Sequence, residues 1–175
     1  MTNRLRSFVL GFSLLLVAVP ALAEDIHLTT LLRGFEEVPS LANFARGRFH
    51  AILNEELTEV TYTLNYRNVE GTVTQAHIHL AQPGVNGGIM VFLCSNLGNG
   101  PAGTQACPAD PATISGAITA ADVLAINGQD LEPGNFREFQ NALRQGFAYA
   151  NVHSTLWPGG ELRGQIRLEE DDDRD

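Results

Sequence analysis

Val73-Thr74-Gln75-Ala76-His77-Ile78-His79-Leu80 alternates residue by residue. Successive side chains of an extended strand leave opposite faces, so Ala76, Ile78 and Leu80 share one face while His77 and His79 share the other. The period of two makes the segment a strand whose small apolar face belongs to a core. The same signature recurs on both sides of it, at residues 26–33, 44–53, 60–66, 88–94, 112–118, 147–154 and 161–168. In residues 44–53 it sets Phe49, Ala51 and Leu53 against Arg46, Arg48 and His50.

Two helix starts interrupt the pattern. Thr119 with Asp122 three residues later has the form of a capping box and predicts a short helix over 120–125. Asn135 with Glu138 predicts a second over 136–145, with Phe136, Phe139 and Leu143 as its apolar stripe and Gly146 to stop it. Many short strands separated by turns predict a mainly β fold. The expected form is an antiparallel Greek-key sandwich or barrel of superoxide-dismutase or immunoglobulin type, with one or two short helices inserted.

The N-terminal residues read as a signal peptide. Arg4 and Arg6 precede an apolar run over 8–19, and Pro20 leads into Ala21-Leu22-Ala23, a small-x-small cleavage site. The run is shorter than the roughly 20 residues a bilayer span needs. The expectation is cleavage near Ala23, a periplasmic or secreted product with no membrane span, one domain over 24–168, and a disordered acidic tail over 169–175. The net charge is −9 at pH 7 and every basic residue is Arg. That balance argues against nucleic acid and anionic membrane surfaces as partners, and is compatible with a metal cation. Cys94 and Cys107, the two cysteines, flank a stretch rich in Gly, Asn and Pro. Outside the cytoplasm they are expected to form a disulfide rather than a thiolate metal site.

The candidate chemistry lies in three histidines. In Tyr149-Ala150-Asn151-Val152-His153, His153 shares a face with Tyr149 and Asn151, opposite Ala150 and Val152. If this strand approaches the one that carries His77 and His79, three neutral imidazoles converge, a donor set that suits copper or zinc. Glu161 and Arg163, two residues apart on the last strand, are candidate partners around those ligands, together with Tyr149 and Asn151. Glu161 would fix a histidine tautomer, and Arg163 would either hold an anion or take part in a cross-strand ion pair. The plainer alternative makes the histidines structural, packed and hydrogen-bonded in place. His27 and His50 are expected at the surface, His27 with a lesser claim as a fourth ligand. There is no G-x-S-x-G nucleophile motif, and Asn96-Leu97-Gly98-Asn99-Gly100 lacks the Lys of a phosphate loop. No catalytic residue is proposed; binding is expected ahead of catalysis.

Four segments carry a resemblance to a known family. They are Leu32-Arg33-Gly34-Phe35-Glu36-Glu37-Val38-Pro39, then Ala76-His77-Ile78-His79 with Pro83-Gly84-Val85-Asn86-Gly87-Gly88, then residues 146–154, and finally Gly160-Glu161-Leu162-Arg163-Gly164-Gln165-Ile166. In this order they resemble the chordin (CHRD) domain, in the stand-alone exported form found in bacteria. The resemblance implies a fold and an extracytoplasmic location more than an activity. Chordin's antagonism of bone morphogenetic proteins does not carry over, because its cysteine-rich modules are absent. A looser likeness to copper-zinc superoxide dismutases fails in detail, with no candidate for a bridging His. The expected function is transition-metal binding through His77, His79 and His153, copper ahead of zinc. The alternatives are an extracytoplasmic protein- or glycan-binding module and a dismutase-like redox enzyme.

Overall fold

The structure, a computed structural model, describes residues 24–169. The signal peptide expected over 1–23 and the tail beyond Glu169 lie outside the described residues. Nine strands form one antiparallel sheet: β1 (Ile26–Arg33), β2 (Arg46–Leu53), β3 (Val60–Arg67), β4 (Val73–Leu80), β5 (Gly88–Ser95), β6 (Ala112–Ile118), β7 (Ala148–Ser154), β8 (Leu162–Gln165) and β9 (Arg167–Leu168). Among the described residues one α-helix, α1 (Phe136–Arg144), precedes β7.

The order across the sheet is β5-β4-β7-β8-β1-β2-β3-β6, with β9 pairing β1. Because β3 pairs β6 while the β4–β5 hairpin is carried to the far end, the topology is a Greek key that curls into a nearly closed barrel. The two edges, β5 and β6, share no ladder. Gln105 latches them: its side-chain amide donates to Leu93 O on β5 at 3.1 Å and to Ser115 O on β6 at 3.2 Å. A glutamine can do this because its NH2 group carries two donors. The loop that delivers Gln105 is tied down by the Cys94–Cys107 disulfide, whose Cα atoms are 5.0 Å apart.

The inward face is apolar. Leu28 and Leu32 of β1, Phe49 and Leu53 of β2, Leu64 of β3 and Ile78 of β4 have no exposure, nor do Phe139 and Leu143 of α1. The outer face divides in two. On β1 to β3 it meets solvent, as the alternation of Arg46, Arg48 and His50 predicts. On β4 and β7 both faces are buried, because loops lie over the outer one. That division positions the site.

Two expectations are corrected. The helix predicted over 120–125 is a single 3-10 turn, Ala120–Asp122. Its capping box forms, but Leu124 N donates to Met90 O at 2.9 Å and draws the chain onto β5 before a second turn can form. The last strand, predicted unbroken over 161–168, is split at Ile166. The amide of Ile166 donates to Ala148 O at 2.9 Å, and the chain then passes to β1 as β9.

Candidate metal centre

β4 and β7 are antiparallel neighbours, with His77 opposite Asn151, His79 opposite Tyr149 and Gln75 opposite His153. The register therefore brings the three histidines onto one outer patch. They are buried, and one ligand atom from each lies within 4.8 Å of the others. Some point therefore lies within about 2.8 Å of all three atoms, against about 2.0 Å for a zinc–imidazole bond.

Two of the three rings are held by their far sides. His79 Nδ1 donates to Gly87 O at 3.0 Å, and His153 Nδ1 donates to Pro158 O at 3.0 Å. A carbonyl can only accept, so both rings carry hydrogen on Nδ1 and leave Nε2 as a bare lone pair. His153 Nε2 faces His77 Nδ1 at 3.2 Å. The Nε2 atoms of His77 and His79 are buried with no hydrogen-bond partner. Burial pushes the His77 imidazole down to about 2, helped by the neighbouring His153 and His79. Burial likewise takes His79 down to about 4, against the opposing pull of its bond to Gly87. His153 is lowered by the same burial. All three are neutral at physiological pH, the state that can ligate a cation.

Around them stands a polar frame. Tyr149 stacks on His79, ring centroids 4.7 Å apart and planes 3° from parallel. Its hydroxyl accepts from Gly87 N at 3.3 Å. Arg163 lies over the same phenol ring and donates to Asn86 Oδ1 and Val85 O at 2.9 and 2.6 Å. Gly87 is thus gripped through both its N–H and its carbonyl. Only glycine fits there, because a Cβ would strike the Leu80 carbonyl. Asn151 donates to Glu37 at 2.6 Å and to Leu162 O at 2.8 Å.

The expected partners stand elsewhere than the sequence placed two of them. Glu161 fixes no histidine tautomer; Oε1 of its fully buried carboxylate accepts from Glu70 N at 2.6 Å. Backbone carbonyls do that work instead. Arg163 takes part in no cross-strand ion pair among the described residues, since it spends its guanidinium on the 84–88 loop. His27 is no fourth ligand: it lies beside His50 and Glu169 on the open outer face. Pattern reading passed over Glu37, Asn86, Gly87 and Pro158 as site residues. The only signal for the first three was their place within the linked motifs.

Those motifs now sit in one assembly. The Leu32–Pro39 segment supplies Glu37, the 83–88 segment the clamp on His79, residues 146–154 the His153 strand, and the 160–166 segment Arg163. The sequence model of the CHRD domain matches residues 28–166. The chain belongs to the CHRD domain family. In this CHRD domain the matched span begins at Leu28 and ends at Ile166, so it takes in every residue of the frame. No curated protein and no solved structure matches the chain. Among the described residues no helix is long and apolar enough to cross a membrane.

Proposed function

We propose that this CHRD domain binds one transition-metal ion through His77, His79 and His153, outside the cytoplasm. The observation that carries the reading is the pair of buried, unpartnered Nε2 atoms of His77 and His79. A buried polar atom without a partner costs about 1–3 kcal/mol, and an ion in the cluster would remove that cost. An all-imidazole donor set suits both copper and zinc, and the affinity order of divalent metals places copper first. With both cysteines in the disulfide, no thiolate competes for the role.

A second reading rests on the 3.2 Å His77–His153 contact, which is also the length of a direct imidazole hydrogen bond. On that reading the histidines only brace the loops of an extracytoplasmic protein- or glycan-binding module. The double variant His77→Gln/His79→Gln separates the two. On the metal reading the wild type alone gains stability with copper, about 2.7 kcal/mol at a hundredfold excess over Kd. A wild type whose melting curve ignores micromolar copper and zinc at neutral pH leaves the bracing role. Elemental analysis of protein taken from the periplasm without added metal then identifies the ion.

A further inference from the structure

The strand registers place three arginines in one lateral row on the open outer face: Arg33 of β1 is opposite Arg46 of β2, which is opposite Arg67 of β3. Arg48 follows two residues along β2. All four are exposed, and none takes part in a salt bridge among the described residues. Like charges directly across a sheet repel. A chain with net charge −9 and abundant carboxylates nonetheless leaves this row uncompensated. The four line a groove of about 650 Å³ whose walls include Phe35 and Phe44, 63% and 85% exposed.

We propose that this groove binds a polyanionic glycan, a chain of sugar rings bearing carboxylates or sulfates. Guanidinium groups match either anion with two parallel hydrogen bonds. The phenyl faces would take the apolar C–H face of a sugar ring, shedding water from both. An extended peptide fits less well. None of β1, β2 and β3 is an edge of the sheet, so no edge strand is offered here for an added strand. The surface offers charge and aromatic faces, which a ring with an anionic substituent uses together. The groove does not depend on the metal reading. Arg33 is nevertheless joined to the histidine patch by a continuous register, through Arg163, Asn151 and His77. At about 4.8 Å per strand the two lie roughly 15 Å apart.

Calorimetric titration of the purified mature protein with a galacturonate oligomer, a heparin-derived oligosaccharide, neutral dextran and poly-glutamate tests this. The expected result is binding of at least one anionic glycan, weakened by salt, with no response to dextran. Arg46→Ser/Arg48→Ser should lose about tenfold or more in affinity. Phe44→Ala should weaken the glycan several-fold while leaving poly-glutamate unchanged. Both variants alter exposed side chains, and an unchanged melting temperature verifies that they fold. Dextran binding as tightly as galacturonate, or no glycan binding at all, overturns the proposal. So does poly-glutamate binding more tightly than either anionic glycan with no effect of Phe44→Ala, which would make the partner an acidic peptide. If sulfated but not carboxylated chains bind, the anion is identified as sulfate and the proposal stands.

Discussion

Arg163 lies face-on over Tyr149, its guanidinium carbon 3.5 Å from the ring centroid. His79 is parallel to the same ring at 4.7 Å, and the two cannot occupy one face without colliding. Tyr149 is therefore the middle layer of an Arg–Tyr–His stack. A cation over a phenol ring contributes about 0.5–2 kcal/mol, more as water is excluded. The stack also fixes the plane in which the His79 lone pair points.

Arg163→Met keeps the bulk and removes both the stacking charge and the two bonds to the 84–88 loop. The variant should fold, yet bind copper about ten- to a hundredfold more weakly, the usual loss when a residue that orients a ligand is removed. Isothermal titration with copper reads this directly. An unchanged affinity would mean that the Gly87 carbonyl orients His79 alone.

Gly87→Ala tests that carbonyl from the other side. The added Cβ must displace the Leu80 carbonyl, which moves Gly87 O away from His79 Nδ1. We expect a destabilisation of about 2 kcal/mol or more together with weaker copper binding. Gly128→Ala is the control, because nothing lies within 4 Å of its added Cβ. Equal melting temperatures for the two variants would refute the clamp.

Glu37 gives the fold a pH signature. Burial raises its carboxyl from 4.5 to about 7, overcoming the hydrogen bond from Asn151 and the attraction of Arg163. The unfolded chain releases this proton near 4.5, whereas the folded protein keeps it until about 7. Its contribution is therefore complete below pH 4.5 and is lost as the pH rises through 7. Metal-free Glu37→Gln should become progressively more stable than wild type between pH 4.5 and 7, by on the order of 3 kcal/mol, and the difference should then level off. The histidines act in the opposite sense, losing stability as the pH falls below 6.5, but they do so in both proteins and cancel. Melting curves that stay parallel from pH 4 to 8 would contradict a proton on Glu37.

Cys94→Ala/Cys107→Ala should lower stability by roughly 3 kcal/mol, the chain-entropy value for a loop of this size. It should also loosen the Gln105 latch between β5 and β6. Copper affinity should be unchanged, since no ligand lies on the tethered loop. Denaturant midpoints give the first quantity and metal titration the second. A loss of copper binding would show that closure of the barrel shapes the histidine patch.

How the chain divides between strands and turns was written locally. Residues 26–33, 73–80 and 112–118 alternate strictly enough to give those strands their observed bounds, and the cap of α1 was readable from Asn135 and Glu138. The His-x-His pair and the disulfide were legible for the same reason, as each is a matter of spacing along one segment. The period-two pattern also named the core face of β4 correctly. It was silent about the opposite face, because alternation says which residues share a side and not what covers that side.

Tertiary structure decided the rest. His50 and His77 both sit on outer faces, yet His50 meets water and His77 does not. The difference is the set of loops folded over β4 and β7, and strand order alone determines where those loops fall. Glu37 reaches Asn151 across 114 residues of chain, a meeting no local pattern encodes. The arginine row arises likewise from the registers of three strands, each of which looks unexceptional alone. Sequence by itself determined what each segment could be, because backbone sterics and side-chain alternation act over a few residues. Which faces were roofed, which lone pairs were stranded and which charges were stacked side by side depended on contacts between distant segments, which only the packed barrel supplies.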